Sequence, residues 1–236
     1  MDAVMMRQVA WIGDSYVHGK IRGVALNFHG LGHMNEKKFP ETMELEWARA
    51  GWLVVFPYYG PWTWMNREAR AFVDELVAFV YDHFGLDGSL PLVSTGGSMG
   101  GLSALLYTRY AKKPVSACLA LFPVCDFQYH FGERPDLPRS MYHSLRGYKE
   151  DMQTLFDEHS PLKQVPHMPD IPYLFIHGDE DLAVSKAAHS DKMVAAMKAR
   201  GLAVEYIQVP GMGHGSCMPV AVLLKMIGFL ADFPSQ

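Results

Sequence analysis

The 236-residue sequence has little cysteine: Cys118, Cys125 and Cys217 are the whole set, without a C-x-x-C pair. This odd set predicts neither a disulfide framework nor a zinc site, and reduced thiols are typical of a cytoplasmic protein. The motif H-E-x-x-H is also missing, and the one H-x-x-x-H pair, His29 and His33, spans a glycine loop rather than a helix face. We therefore expect no metal and no cofactor.

Long hydrophobic runs and basic clusters are missing as well. No apolar stretch reaches the ~20 residues that a membrane span needs, and residues 1–14 contain Asp2 and Arg7 rather than the apolar core of a signal peptide. Lysine and arginine total 21 against 25 aspartates and glutamates, a formal net charge of −4. We therefore expect a soluble protein that has neither nucleic acid nor a membrane as its partner.

Hydrophobic residues make up 49% of the chain, which suits one folded domain over residues 1–236. Apolar runs alternate with helix-like segments, and this alternation predicts an α/β fold: a mainly parallel, doubly wound sheet with helices on both faces. Function is then expected at the carboxyl ends of the strands. The predicted strands cover residues 4–12, 21–28, 52–57, 91–95, 116–122, 171–176 and 204–209, and the predicted helices cover residues 40–50, 67–84, 99–111, 186–200 and 218–231.

The motif G-x-S-x-G at residues 96–100 joins a predicted strand directly to a predicted helix. A sharp strand-to-helix turn needs glycine beside the serine and lifts the serine hydroxyl above the sheet, which is the signature of a nucleophile elbow. Ser98 is thus the candidate nucleophile. The alternative is a glycine-rich turn that only packs a helix onto a strand, and partner residues must decide between the two.

A serine hydroxyl needs a histidine to accept its proton and an acid to orient that histidine. The loop after the strand at residues 171–176 carries three acids, Asp179, Glu180 and Asp181. The loop after the strand at residues 204–209 carries His214 among glycines. The order serine, acid, histidine is the chain order of the α/β hydrolases.

A fourth motif is the His-Gly loop that follows the strand at residues 21–28. Acyl transfer needs backbone N–H donors for the developing oxyanion, one from the residue after the nucleophile and one from such a loop. The N–H groups of Met99 and Leu31 are therefore the candidate oxyanion hole.

From about residue 23 to residue 229 the sequence resembles the α/β-hydrolase superfamily, and within it the esterases and peptidases whose catalytic domain is similar to that of prolyl oligopeptidase. The most specific pieces are the elbow with its second glycine, Gly101, the pattern H-G-x-x-D-x-x-V at residues 177–184, and G-x-G-H-G at residues 211–215.

The resemblance implies Ser98 as the nucleophile, His214 as the base and Asp181 as the acid, although some relatives keep their acid where this chain has Asp126. Two departures from the family pattern are visible. Ser185 stands where the family usually has proline after the valine. The family's peptidases also carry a large N-terminal propeller, for which a chain of this length has no room.

Residues 126–170 interrupt the alternation and are rich in proline around a helix-like piece at residues 148–158. We interpret the segment as a cap insertion over the active site, the alternative being a peripheral excursion. Arg134, Arg139 and Arg146 could bind a substrate carboxylate there, although arginines are common on any protein surface.

An aromatic cluster follows the strand at residues 52–57, beside the candidate oxyanion loop. Such side chains would form an apolar wall for a substrate acyl or aryl group, or else pack beneath the cap. The candidate substrate-binding residues are Tyr58, Tyr59, Trp62 and Trp64.

Together the motifs predict a serine hydrolase that cleaves small carboxylic esters through an acyl-enzyme, with a small-molecule ester as its partner. A peptidase or amidase of the prolyl-oligopeptidase type would use the same triad and is the alternative. A non-catalytic binding protein on the same fold is a third hypothesis.

Overall fold

A computed structural model describes residues 1–233, in which seven strands form one sheet. The strand order is β1-β3-β2-β4-β5-β6-β7, and every neighbouring pair is parallel except β1 with β3. Residues 234–236 of the predicted domain lie outside the described part. The strands are β1 (Ala10–Ile12), β2 (Gly23–Phe28), β3 (Trp52–Pro57), β4 (Leu92–Gly97), β5 (Ala117–Leu121), β6 (Tyr173–Gly178) and β7 (Val204–Val209).

Ten α-helices flank this sheet within residues 1–233, and several begin at a side-chain cap. The Asn66 side chain accepts the Ala69 N–H at the start of α3, and the Asp151 side chain accepts the Thr154 N–H at the start of α7. The helices are α1 (Ala3–Val9), α2 (Thr42–Arg49), α3 (Arg67–His83), α4 (Met99–Tyr110), α5 (Phe127–Glu133), α6 (Leu137–Ser144), α7 (Met152–His159), α8 (Pro161–Gln164), α9 (Ser190–Ala199) and α10 (Val220–Ala231).

Both faces of the sheet are covered, because the central strands are apolar on both sides; all six residues of β3 are buried. On one face, two indole N–H groups bind α10: Trp47 donates to the Met226 carbonyl at 3.2 Å and Trp52 donates to the Leu230 carbonyl at 2.9 Å. The larger core cluster fills the other face and includes side chains of α3, α4 and α9.

The predicted fold class, an α/β-hydrolase fold with a mainly parallel sheet, is confirmed, and β3 and β7 have the predicted bounds. The strand predicted over residues 4–12 is wrong for most of its length. The Asp2 side chain accepts the Met5 N–H at 2.8 Å and starts α1 there, so only residues 10–12 remain as β1.

Residues 126–170, here called the helical insertion, connect β5 to β6 through α5, α6, α7, α8 and a short 3-10 turn. The helix predicted over residues 148–158 is observed as α7, which begins later because Asp151 caps it. None of the helices in residues 1–233 is long and apolar enough to cross a membrane. Cys118 and Cys125 are buried free thiols and Cys217 is an exposed one. The expected cytoplasmic location stays a prediction.

Candidate active site

Ser98 stands at the sharp turn between β4 and α4. Its backbone has φ 60° and ψ −123°, a left-handed conformation that costs a non-glycine residue on the order of 1–3 kcal/mol. The turn is held by a hydrogen bond from the Ser98 N–H to the Leu121 carbonyl at 3.0 Å. The strain raises the hydroxyl above the carboxyl ends of the strands.

Glycine is required on both sides of this serine because the backbone of β2 passes against the turn. A Cβ added at Gly96 would lie 2.5 Å from the Gly100 carbonyl oxygen and 2.7 Å from that of Phe28. A Cβ at Gly100 would overlap the Phe28 carbonyl oxygen even more severely. The two glycines of the motif therefore allow helix α4 to start directly against β2.

A continuous hydrogen-bonded chain joins Ser98, His214 and Asp181. His214 Nε2 lies 3.0 Å from Ser98 Oγ, and His214 Nδ1 lies 2.7 Å from Asp181 Oδ2. The second carboxylate oxygen, Oδ1, accepts the backbone N–H groups of Ala183 and Val184 at 2.9 Å each. In this arrangement His214 can accept a proton from the serine at Nε2 while its Nδ1–H stays bound to the carboxylate.

The Asp181 carboxylate is held ionised. Burial alone would raise its pKa, but hydrogen bonds with His177 and His214, together with the Val184 N–H, outweigh burial and hold that pKa well below its usual range. His177, which opens the H-G-x-x-D motif, lies 3.2 Å from Asp181 Oδ2 and is itself anchored by Ser190 Oγ at 2.7 Å. Its contact with the acid was not anticipated from the sequence.

The loops that carry the acid and the base are interlocked. We call residues 179–185 the acid loop and residues 210–219 the base loop. A Cβ at Gly178 would overlap the Met212 carbonyl oxygen, the same oxygen that accepts the Glu180 N–H at 3.2 Å. In return, Asp179 Oδ1 accepts the Gly211 N–H at 2.7 Å.

Two of the other acids considered from the sequence, Asp179 and Asp126, have structural partners. Asp179 binds the base loop at Gly211, and Asp126 accepts the Tyr129 N–H at 3.0 Å and so caps α5. Within residues 1–233 neither carboxylate is hydrogen-bonded to His214. The geometry therefore separates Asp181 from its neighbours, which the order of acids along the chain did not do.

Phe122 contacts the base and was not anticipated either. Its ring meets the His214 imidazole edge to face, with 4.8 Å between ring centroids. The residue follows β5 directly and has a positive φ of 34°, so the strand end is bent to bring this ring against the histidine. The only sequence signal was its place at the carboxyl end of a predicted strand.

The two candidate oxyanion donors lie at the ends of neighbouring strands, since Leu31 follows β2 and Met99 opens α4 after β4. N–H groups in the first turn of a helix have no intrahelical partner. Within the described residues, neither the Leu31 nor the Met99 N–H donates a hydrogen bond to another residue. Both N–H groups thus lack a partner among these residues, as an oxyanion hole requires.

Of the four expected wall residues, Trp62 is the one that reaches the open site. It is 46% exposed and, with Leu31, lines a cavity of about 840 Å³ beside the oxyanion loop, residues 29–32. Tyr58 instead faces a separate cavity of about 240 Å³, and its hydroxyl accepts the Lys37 N–H at 2.8 Å.

Tyr59 and Trp64 were predicted to line the aromatic wall, but in the structure both side chains are buried. The Tyr59 hydroxyl donates to the His29 carbonyl at 2.9 Å and lies 3.0 Å from Ser103 Oγ, so this side chain supports the oxyanion loop from below. Trp64 is 1% exposed and packs edge to face on Phe127 of the helical insertion. Sequence adjacency does not distinguish these inward rings from Trp62.

One group of side chains has the composition of a metal site: His130, Glu133 and His189. His189 Nδ1 accepts the backbone N–H groups of Cys125 and Asp126 at 3.1 Å each, so Nε2 carries the ring proton and donates to Glu133 Oε2 at 3.0 Å. A metal ion would have to replace that proton. The group, which we call the closed cluster, is thus a hydrogen-bonded network.

The closed cluster ties the helical insertion to the acid loop. Glu133 Oε1 accepts the Ser185 N–H at 2.7 Å, while His130 Nδ1 lies 2.6 Å from Oε2. Burial would raise the pKa of Glu133, but the hydrogen bonds from both histidines and the backbone outweigh it and lower that pKa far below its usual range. Burial lowers the pKa of His130.

Comparison with known proteins places the fold. Residues 75–234 match the prolyl oligopeptidase family, and no curated protein matches the chain in sequence. A Mycobacterium tuberculosis puromycin-hydrolyzing peptidase is similar in structure, with a TM-score of 0.72 at 18% identity, over 92% of this chain and 35% of that one.

Two further solved structures are similar over nearly the whole chain. The Pyrococcus horikoshii acylaminoacyl peptidase has a TM-score of 0.75 at 13% identity, over 95% of this chain and 38% of its own. Porphyromonas gingivalis dipeptidyl peptidase 4 has a TM-score of 0.74 at 15% identity, over 94% and 33%. At these identities the likeness shows the fold alone, and the chain spans about a third of the length of these proteins.

Proposed function

We propose, from the premise that this chain belongs to the prolyl oligopeptidase family of serine hydrolases, that it cleaves short acylaminoacyl or peptide-type amides through an acyl-enzyme. The observation that carries the proposal is the hydrogen-bonded chain from Ser98 through His214 to Asp181, with distances of 3.0 and 2.7 Å. Asp181 and His214 are the partners that turn the strained serine into a nucleophile.

In the proposed reaction, His214 Nε2 takes the proton from Ser98 Oγ as that oxygen attacks the scissile carbonyl carbon. The carbonyl oxygen becomes an oxyanion and accepts the free N–H groups of Leu31 and Met99. The tetrahedral intermediate then collapses, the carbon–nitrogen bond breaks, and His214 gives its proton to the leaving amine. Water hydrolyses the acyl-enzyme by the same steps in reverse order.

Asp181 stabilises the imidazolium that forms on His214 in each half-reaction. Because its pKa is held well below the usual range, the carboxylate stays charged and keeps the Nδ1–H in place. Phe122, whose ring packs edge to face against the imidazole, limits the orientations that the His214 ring can adopt.

Amide substrates are favoured by the family and by the activities for which the similar structures are named, which are those of a puromycin-hydrolyzing peptidase, an acylaminoacyl peptidase and a dipeptidyl peptidase. Small carboxylic esters, the substrates favoured by the sequence, are the second candidate. The observation for them is the half-exposed Trp62 beside Leu31, an apolar wall that suits an acyl or aryl group. The expectation that neither nucleic acid nor a membrane is a partner stays a prediction.

A fluorophosphonate probe followed by a substrate panel tests the proposal. The probe is expected to label wild-type protein at Ser98 and to leave Ser98→Ala unlabelled, whereas a non-catalytic binding protein would react in neither form. The panel then sets acylaminoacyl anilides beside aryl esters of increasing acyl length. Faster turnover of the anilides relative to their spontaneous hydrolysis supports the amidase, and cleavage of short esters alone supports the second candidate.

A further inference from the structure

The cavity beside the oxyanion loop has a second wall, supplied by the helical insertion. Its volume of about 840 Å³ is within the range of small-molecule sites. Leu31 and Trp62 form one side, next to the proposed oxyanion hole. The residues that line it are Leu31, Trp62, Asp136, Arg139, Ser140, Tyr142, His143 and Arg146.

The polar face of α6 forms that second wall. Arg139, Tyr142 and His143 are spaced as neighbours on one helix face, and Arg146 continues the same stripe in the following turn. The opposite face, which includes Met141, is buried in the core. Two arginines thus stand at the ends of a stripe that faces the cavity.

Helix α6 is fixed in this position from below. The Trp64 indole N–H donates to Ser140 Oγ at 3.3 Å, and the Asn66 amide donates to the Ser144 carbonyl at 3.0 Å. Both donors belong to the loop that also carries Trp62. The two walls of the cavity are therefore joined by hydrogen bonds. These bonds fix the position of α6, which carries Arg139, relative to the oxyanion loop.

The arginines of the insertion differ in their partners. Arg134 holds Asp136, the one acid of this lining, through two hydrogen bonds of 3.0 and 2.6 Å. Within residues 1–233, the guanidinium groups of Arg139 and Arg146 have no hydrogen-bond or ion-pair partner. Two guanidinium groups without counter-ions therefore remain beside an apolar wall, and a planar carboxylate is the ligand that guanidinium binds through paired hydrogen bonds.

We propose that Arg139 and Arg146 form a subsite for a free carboxylate on the substrate. The inference rests on the proposed function, because the subsite acts on a substrate whose scissile carbonyl is held at the oxyanion hole. It narrows the substrate class to short amides or esters that carry a carboxylate besides the bond to be cleaved. An uncharged substrate of the same shape is cleaved by the same triad, but less well.

The test compares substrates that differ in one charge. N-succinyl-alanine anilide is set against N-butanoyl-alanine anilide, which lacks the carboxylate, and acetyl-alanine amides of aniline and of 4-aminobenzoate place the charge on the leaving side. We expect kcat/KM to be about tenfold higher for the charged member of one pair. Added salt should shrink that preference, because it screens charges near the surface.

Variants assign the preference to the two arginines. Arg139→Gln and Arg146→Gln should each reduce it, and the double variant should abolish it, so that charged and uncharged substrates are then cleaved with similar kcat/KM. Arg49→Gln is the control, since Arg49 is an exposed arginine of α2 outside the cavity lining. A preference that is unchanged in the double variant, or equally reduced by Arg49→Gln, overturns the proposal.

The subsite and the proposed function fail differently. Efficient cleavage of every uncharged substrate without a charge preference leaves the triad in place and rejects the subsite. If no substrate is cleaved, binding of N-succinyl-alaninamide to Ser98→Ala is measured by calorimetry against its methyl ester. Equal binding of the two, or equal binding after both arginines are replaced, rejects the subsite independently of catalysis.

Discussion

Two carboxylates in this chain each bind two histidines, and the two groups differ in what lies beyond the rings. Asp181 is contacted by His177 and His214, whereas Glu133 is contacted by His130 and His189. Both carboxyl groups have a strongly lowered pKa, since hydrogen bonds outweigh the cost of burial. Composition and electrostatics alone do not separate a catalytic group from a structural one here.

The two groups differ at the histidine nitrogen that does not contact the carboxylate, which is Nε2 in His214 and Nδ1 in His189. The His214 side chain is 25% exposed, and its Nε2 meets a serine hydroxyl. The His189 side chain is fully buried, and its Nδ1 is closed by two backbone N–H groups. A histidine bound to a carboxylate can thus act as a general base only where its second nitrogen faces the hydroxyl that it deprotonates, and four predictions test that distinction.

The largest expected effect is at the nucleophile. Ser98→Ala should lower kcat by on the order of 10⁶, because no hydroxyl is then left for His214 Nε2 to deprotonate or to attack the substrate carbonyl. Folding should change little, as measured by circular dichroism and thermal unfolding. An alanine variant with a tenth of wild-type turnover would remove the triad from the mechanism.

Replacement of the acid should come next. Asp181→Asn is expected to lower kcat by on the order of 10⁴, because an amide cannot stabilise the imidazolium and favours the wrong tautomer of His214. Asp179→Asn, on the same loop, is the matched control and should lose far less. Should Asp126→Asn be the crippling change instead, the acid has been assigned to the wrong strand.

Mutation of the closed cluster should lower the stability of the fold and leave the rate of catalysis nearly unchanged. Glu133→Gln removes the charge that binds two histidines, which we expect to cost about 2 kcal/mol of unfolding free energy and roughly 4–8 °C in Tm. Turnover should stay within about threefold, since Glu133 touches neither Ser98 nor His214. The exposed Glu180→Gln is the control. A loss of activity comparable to that of Asp181→Asn would erase the distinction between the two carboxylates.

The smallest expected effect is a pH dependence of stability that comes from two buried histidines hydrogen-bonded to backbone carbonyls. His29 and His159 each have a ring nitrogen against a carbonyl oxygen, and burial lowers the pKa of each to about 4. Below a pKa of about 6.5 the unfolded chain takes up protons that the folded chain refuses, so stability is lost as the pH falls. From pH 7.5 to about 5.5 we expect a loss on the order of 1 kcal/mol for each histidine.

Thermal unfolding over that pH range checks the last prediction. His159→Gln should flatten the curve, and the exposed His167→Gln should leave it unchanged. A Tm that stays constant or rises on acidification would contradict the assignment of both rings as neutral.

The sequence predicted those parts of the molecule whose structure is determined by residues close together in the chain. The elbow at Ser98 follows from the placement of its glycines, and the strand at residues 52–57 follows from a continuous apolar run. Three-dimensional partners decided the rest. The resemblance at residues 177–184 implies Asp181, but only the structure shows that Asp181 contacts His214 while Asp179 accepts the Gly211 N–H of the same loop. Likewise, Trp64 differs from Trp62 because it packs on Phe127 of the helical insertion.

Other misses have the same origin. Residues 4–9 have an apolar content that suits a strand, but a single side-chain bond from Asp2 favours helix α1 instead. Phe122 and His177 contact the base and the acid because three strand ends meet at one edge of the sheet. Glu133 lies 52 residues from Ser185 in the sequence, and its bond to the Ser185 N–H depends on how the insertion folds back.

The interlocked acid and base loops have a mechanical consequence. The Met212 carbonyl sits against Gly178 with no room for a side chain, and Asp179 grips the Gly211 N–H. We therefore expect any displacement of the base loop to move the acid loop, and Asp181 with it, in the same direction. The hydrogen bond between His214 and Ser98 is the link from these two loops to the nucleophile, so we expect a displacement of the base loop to change that distance more than the distance between His214 and Asp181.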